Sequence, residues 1–157
     1  MNNDTTLLEN YESVLVVVKD KTEIWPLNTV AFSVTQCTKT DLSHWDEATV
    51  LYRDGRIKKI TNIKIEGFLG KTIFSKIMSI LFGVYKITVC LDNSEMSFSE
   101  LSKTISDLIY LDSKKYDRMF EIDNIEDIVD KIRCAKNASQ IFELINMPQL
   151  EDCLDIL

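Results

Sequence analysis

Three features of the sequence predict an α+β fold: a twisted antiparallel sheet of about five strands within residues 13–91, covered by C-terminal helices. Short β-branched and alternating runs fill the first ninety residues. After Asp92 the apolar spacing changes from every second residue to the three-and-four spacing of a helix. Strand-like segments come first and helical ones afterwards, the order of an α+β protein rather than of repeated βαβ units. Gly and Pro number only 4 and 2 in 157 residues, with no low-complexity stretch, so residues 1–157 read as a single domain.

"SVLVVVKD" (13–20) is a β-branched run of strand length, expected to be buried on both faces. "NTVAFSVTQ" (28–36) alternates with Val30, Phe32 and Val34 on one side, and Pro26 before it suits a sheet edge or a strand start. "ATVLYRDGRIKKI" (48–60) places Asp54-Gly55 between two strand-like runs, a strong hairpin signal. On the return arm Ile57, Ile63 and Ile65 share one parity and Ile60 has the other. A period of two cannot bury all four, so a bulge is expected near Thr61-Asn62. "VYKITVCL" (84–91) alternates, with Tyr85, Ile87, Val89 and Leu91 facing one way. Helices are expected at about 98–111, 125–136 and 138–146. The first opens on "SFSE", a capping box, and carries the stripe Phe98, Leu101, Ile105, Leu108 and Ile109. The second carries Ile125, Ile128, Val129 and Ile132 behind an acidic first turn. The third, shorter, closes before Pro148.

Between strands lies "IEGFLGKTIFSKIMSILFG" (65–83), which contains Gly70-Lys71-Thr72. A phosphate-binding loop needs a further glycine five residues before Gly70, where Ile65 stands. Without βαβ units to carry such a loop, no nucleotide is expected. Lys71 and Lys76 interrupt the segment, and its longest uncharged run falls short of the roughly 20 residues that span a bilayer, so no membrane insertion is expected. The segment reads as a helix packed on its own sheet. Burial there would make Ile77→Asp costly by several kcal/mol. An amphipathic helix over 67–85 lying on an anionic bilayer is the weaker reading.

The net charge is −7, unevenly distributed. Residues 1–52 carry 3 basic and 8 acidic side chains, 53–91 carry 8 and 2, and 92–157 carry 7 and 15. Both ends should therefore repel nucleic acid and attract basic partners. Cys37, Cys90, Cys134 and Cys153 lie far apart and form no C-x-x-C pair. They read as buried or half-buried thiols, with no metal expected around the lone His44. His44 sits in "SHWDE", but neighbours in sequence seldom face the same way, and no nucleophile, base and electrophile converge elsewhere. The chain reads as a non-enzyme with no cofactor. The start, "MNNDTTLLENYE", lacks a basic region followed by an apolar one, from which a cytoplasmic location is expected.

Three segments, "HWDEATVLYRDGRIKKI", "YKITVCLDNSEMSFSELSKTI" and "DNIEDIVDKIRCAKNASQIFELI", form a layout over residues 45–145. It resembles that of small bacterial immunity proteins of polymorphic-toxin systems, including the contact-dependent growth inhibition class. The resemblance implies a cytoplasmic protein that binds and neutralises a cognate toxin domain, commonly a nuclease, by occluding its surface. Such a domain is basic where it holds phosphate. The first candidates for the toxin interface are Glu126, Asp127 and Asp130, opposite the apolar stripe of their helix. Asp46 and Glu47, at the lip of the 48–53 strand, are the second group. The alternative is a single-stranded nucleic-acid-binding module, similar in element order to Whirly-type proteins. It would use Arg53, Arg56, Lys58, Lys59 and Lys64 with Tyr52 for stacking. The acidic thirds disfavour it.

Overall fold

Val14 to Val18 are each at most 4% exposed, as a β-branched run must be when it has a strand on either side and side chains packed on both faces. They belong to β1 (Ser13–Val18). The computed structural model describes residues 12–18, 23–29, 34–36, 45, 47–68, 72–82 and 84–145. The other strands are β2 (Glu23–Asn28), β3 (Val34–Gln36), β4 (Thr49–Tyr52), β5 (Ile57–Phe68) and β6 (Val84–Asn93). They form one six-stranded sheet in the order β2-β1-β4-β5-β6-β3, antiparallel at every pairing. Helix α1 (Ile73–Phe82) joins β5 to β6. Helices α2 (Phe98–Leu111), α3 (Ser113–Phe120), α4 (Ile125–Arg133) and α5 (Ala138–Leu144) follow the sheet. The α+β architecture read from the sequence is the one observed.

Several elements differ from the sequence reading. Instead of a single strand over 28–36, β2 ends at Asn28 and β3 starts at Val34, with residues 30–33 outside the described residues. Pro26 lies within β2, at the sheet edge, where a missing N–H costs no ladder bond. Helix α4 ends at Arg133, not 136. The Cys134 N–H closes on the Asp130 carbonyl at 3.0 Å, and Asn137 already caps α5 by accepting from the Gln140 N–H at 3.1 Å. Helix α5 ends at Leu144, two residues short of the expected bound. Helix α3 was not foreseen. Its sequence, "SKKYDRMF", buries only Tyr116 and Phe120, one turn apart, and Asp112 both ends α2 and caps α3.

The expected bulge is present. Ile60 faces Leu91 and Asn62 faces Cys90, which leaves Thr61 as the extra residue, and a second shift between Ile65 and Gly67 leaves Glu66. Asp54-Gly55 turns the chain between β4 and β5, with Gly55 at φ +94°, a left-handed conformation that favours glycine. The capping box forms: the Ser97 hydroxyl accepts from the Glu100 N–H, and the Glu100 carboxylate accepts from the Ser97 N–H at 2.9 Å.

The sheet has an apolar cluster on each face. On the helix side Leu15, Val17, Ile24 and Leu51 pack with Leu101, Ile105, Ile109, Ile132 and Ile141. On the other side Val14, Val16, Val18, Val50, Tyr52 and Ile60 are buried, with Trp45, Ile63, Val89 and Leu91 against them. Helix α4 is tied to α2 by the Ser102 hydroxyl, which donates to the Ile132 carbonyl, and by an Arg133–Asp107 ion pair of 3.0 Å.

Helix α1 overturns the expectation that it packs on the sheet. Ile73, Phe74, Ile77, Ile80 and Leu81 are 79%, 70%, 49%, 61% and 70% exposed. The helix forms as its spacing requires, but its apolar side faces away from the protein. Ile77 is therefore not a core residue. Cys134 is exposed rather than buried, Cys90 is half-buried, and Cys37 and Cys153 lie outside the described residues.

Candidate protein-binding surface

Burial of Val129 and Ile132, with Ile125 and Ile128 packed beside them, fixes the rotation of α4. Glu126, Asp127 and Asp130 consequently share its exposed side, within about 100° of one another on the helical wheel. Asn124 opens the helix by accepting from the Asp127 N–H at 3.2 Å. Acidic side chains in this first turn suit the positive end of the helix dipole. The side chains are not all free. Lys131 bonds Asp127 at 2.5 Å, one turn on, and Arg133 lies 4.0 Å from Asp130. Both cations are on the same helix, at the margins of the acidic arc.

Glu47, at φ +64°, stands before β4 and pairs with Lys59 at 3.3 Å. Asp46 lies outside the described residues. Two adjoining grooves lead from Glu47 to Asp107 of α2, which an Arg133 ion pair links to Asp130 of α4. A groove of about 570 Å³ runs from Glu47 and Lys59 past Asp92 to Glu95, Met96 and Thr104. A second groove, of about 620 Å³, shares those last three residues and continues past Glu100 and Lys103 to Asp107. Asp107 is held by Arg133, which also reaches Asp130. The result is an acidic band along the open side of the β6–α2 connection and α2, ending on α4.

Asp92, Glu95, Glu100 and Asp107 were not singled out from the sequence. The "SxxE" spacing identifies Glu100 as a cap residue but says nothing of the groove beside it. The Asp127–Lys131 pair, by contrast, is visible as an i,i+4 spacing.

Several side chains of the basic hairpin are paired within the protein. Tyr52 is 7% exposed, with the Arg56 guanidinium 4.4 Å above its ring centre, so its face is already occupied. Burial raises the Tyr52 phenol above its usual range, against the opposing pull of Arg56. Arg56 pairs with Glu12 at 2.6 Å and with Asp54 at 2.5 Å, and Lys58 bonds the Asn93 side chain at 2.5 Å. The hydrogen bonds from the Arg56 backbone N–H and guanidinium hold the Asp54 carboxyl below the usual carboxylate range. Of the five cations considered for that reading, Arg56, Lys58 and Lys59 are thus engaged within the protein, while Arg53 and Lys64 are exposed.

Around Gly70-Lys71-Thr72, of which Thr72 alone is described, the flanking strands β5 and β6 are antiparallel to each other. That is not the parallel arrangement on which a phosphate-binding loop is built. Among the described residues no group of three or more His, Cys, Asp or Glu side chains is placed to hold a metal ion. No helix there is long and apolar enough to cross a membrane.

Fold and surface together define an α+β protein with an acidic, grooved side. In comparisons with known proteins the chain matches no family model, and no curated protein or solved structure matches it significantly.

Proposed function

We propose that this protein is a non-enzymatic inhibitor that binds a basic partner domain through the acidic band from Glu47 to α4. The resemblance to immunity proteins points to the partner class: the cognate toxin domain of a bacterial polymorphic-toxin system, with a nuclease domain as the first candidate. The observation that carries the reading is the continuity of the carboxylates. Glu47, Asp92, Glu95, Glu100, Asp107 and Asp130 follow one another along two adjoining grooves and an ion-paired bridge. A basic surface laid along this band would gain association rate by electrostatic steering. The band is 570–620 Å³ per groove and open, a shape for side chains of another protein rather than for an enclosed substrate.

The test is inhibition of the toxin domain encoded beside this chain. Glu126→Lys, Asp127→Lys and Asp130→Lys together should slow association by about tenfold or more and weaken its salt dependence. Asp92→Lys with Glu95→Lys should act in the same direction from the middle of the band. Protection by both reversed variants equal to the original protein would remove this surface from the interface. A purified chain that binds no toxin from its own gene neighbourhood would end the immunity reading.

A further inference from the structure

The five exposed apolar residues of α1 fall at positions 73, 74, 77, 80 and 81, and so cover one continuous arc of about 120°. That arc is the side a helix normally turns to a core. Here it stands at the end of the β5–β6 hairpin and faces solvent. An apolar stripe of this kind marks an interaction surface. The only charged residue in α1 is Lys76, at the margin of the stripe and exposed. Lys64 and Lys86, on the two strands leading to α1, are exposed as well. From Thr61 to Leu91 the chain carries Lys64, Lys71, Lys76 and Lys86 against one carboxylate, Glu66. The rest of the chain has 14 basic and 24 acidic side chains. The hairpin end is therefore both apolar and cationic on an otherwise acidic protein.

We propose that α1 and its neighbouring lysines form a docking surface for an anionic lipid bilayer, with the helix lying in the plane of the interface and its stripe toward the acyl chains. Charge complementarity selects this occupant. A second copy docked end to end would set lysines against lysines, whereas anionic headgroups neutralise them. Lys76 beside the stripe can extend its ammonium to the headgroups while its stem covers apolar surface. Ten residues are too few to span a bilayer but enough to lie on one. The hairpin also solves the problem that the acidic body would be repelled. Strand β5 continues from Lys59, its last residue paired with β4, to Phe68, a contour of roughly 30 Å. Surface potentials decay over about 8 Å at physiological salt, so the body can sit beyond the repulsion that its own charge would produce.

The test uses the full chain and sedimentation with phosphatidylcholine vesicles, either pure or containing phosphatidylserine. The protein should pellet with the anionic vesicles, less so as salt is raised, and remain in solution with the pure ones. Phe74→Ser with Leu81→Ser should abolish pelleting at unchanged melting temperature, because both side chains are exposed. Lys76→Ala should weaken it about fivefold. Failure of the wild-type chain to pellet with anionic vesicles would overturn the proposal. So would undiminished pelleting of the double variant, or self-association that the double variant abolishes in place of vesicle binding. The reversed α4 variant should still pellet, which keeps this surface separable from the toxin-binding one.

Discussion

Tyr116 shows what one side chain can hold together here. It is fully buried, and its hydroxyl accepts from the Ile24 N–H at 2.9 Å across 92 residues of sequence. Ile24 lies on β2, which among the described residues is an edge strand paired with β1, so this bond satisfies an edge amide that a second chain could otherwise pair with. Lys115 adds to the cover, 3.7 Å from Glu23 and 5.7 Å from the centre of the Trp25 ring. Tyr116→Phe should keep the packing but leave the amide without its acceptor, lowering unfolding free energy by about 1–3 kcal/mol in urea titrations. Burial raises the Tyr116 phenol above its usual range, against the opposing pull of the Ile24 N–H. The folded state therefore favours the protonated ring. That contribution is complete below the unfolded value and is lost as pH rises through the folded one. In melts at increasing alkaline pH the original protein should lose stability more steeply than Tyr116→Phe. Gly55 is a second point of this kind. Its neighbourhood is empty within 4 Å of a Cβ, yet φ is +94°, so Gly55→Ala should cost about 1–2 kcal/mol through backbone strain rather than a clash.

The described helices divide into those whose apolar stripe meets a partner and α1, whose five described apolar side chains are exposed. In α2, Leu101, Ile105 and Ile109 are 0% exposed, and Ile105→Ala should cost about 2–5 kcal/mol. In α1 the residue of corresponding chemistry is Ile77, half in solvent. Ile77→Asp should shift stability by less than about 0.5 kcal/mol, and paired thermal melts of the two variants measure the contrast. Both helices were legible as helices, because the spacing of their apolar residues determines which side is apolar. What lies opposite that side is a property of the assembled sheet. The spacing in α1 contains no information about it, and the assumption that an apolar side is a buried side failed there. Helix α3 was illegible for the opposite reason: two buried aromatics among six polar or flexible residues give too few repeats to establish a period.

Across the whole molecule, charge is separated by distance. The acidic band lies against α2 and α4, and the lysines of the hairpin end lie beyond the last β4 pairing. The sequence blocks already carried this division, since residues 53–91 are basic and both flanks acidic. The α4 carboxylates were also placed correctly on an exposed side, because the buried stripe of that helix dictates the position of everything else on it. Their connection to Glu47 was not accessible. It depends on the β6–α2 turn bringing Asp92 and Glu95 alongside Thr104, a contact between residues that no local period relates. Binding of a basic partner to the band should weaken steeply as salt rises. The reversed Glu126, Asp127 and Asp130 variant should have a shallower dependence, with a melting temperature close to the original because exposed ion pairs such as Asp127–Lys131 contribute about 0–1 kcal/mol. Stopped-flow association at several ionic strengths reads both effects.

The bulges of β5 give the hairpin something like a reading frame. Between Ile60 and Phe68 the strand spends two more residues than its partner does between Leu91 and Tyr85, and those two are Thr61 and Glu66. Thr61 advances the count by one, which is why Ile60, Ile63 and Ile65 come to lie on the side of Leu91, Val89 and Ile87, while Lys64 shares the other side with Thr88. Taking Thr61 into the ladder opposite Cys90 would leave the composition untouched and yet exchange the two sides. Asn62 and Lys64 would turn toward Val89 and Ile87, and Ile63 and Ile65 would move outward. In this segment the placement of grease and charge is set by counting rather than by chemistry. A deletion that keeps the isoleucines inward would then have to come from between Ile60 and Ile63, whether it removed Thr61 or Asn62.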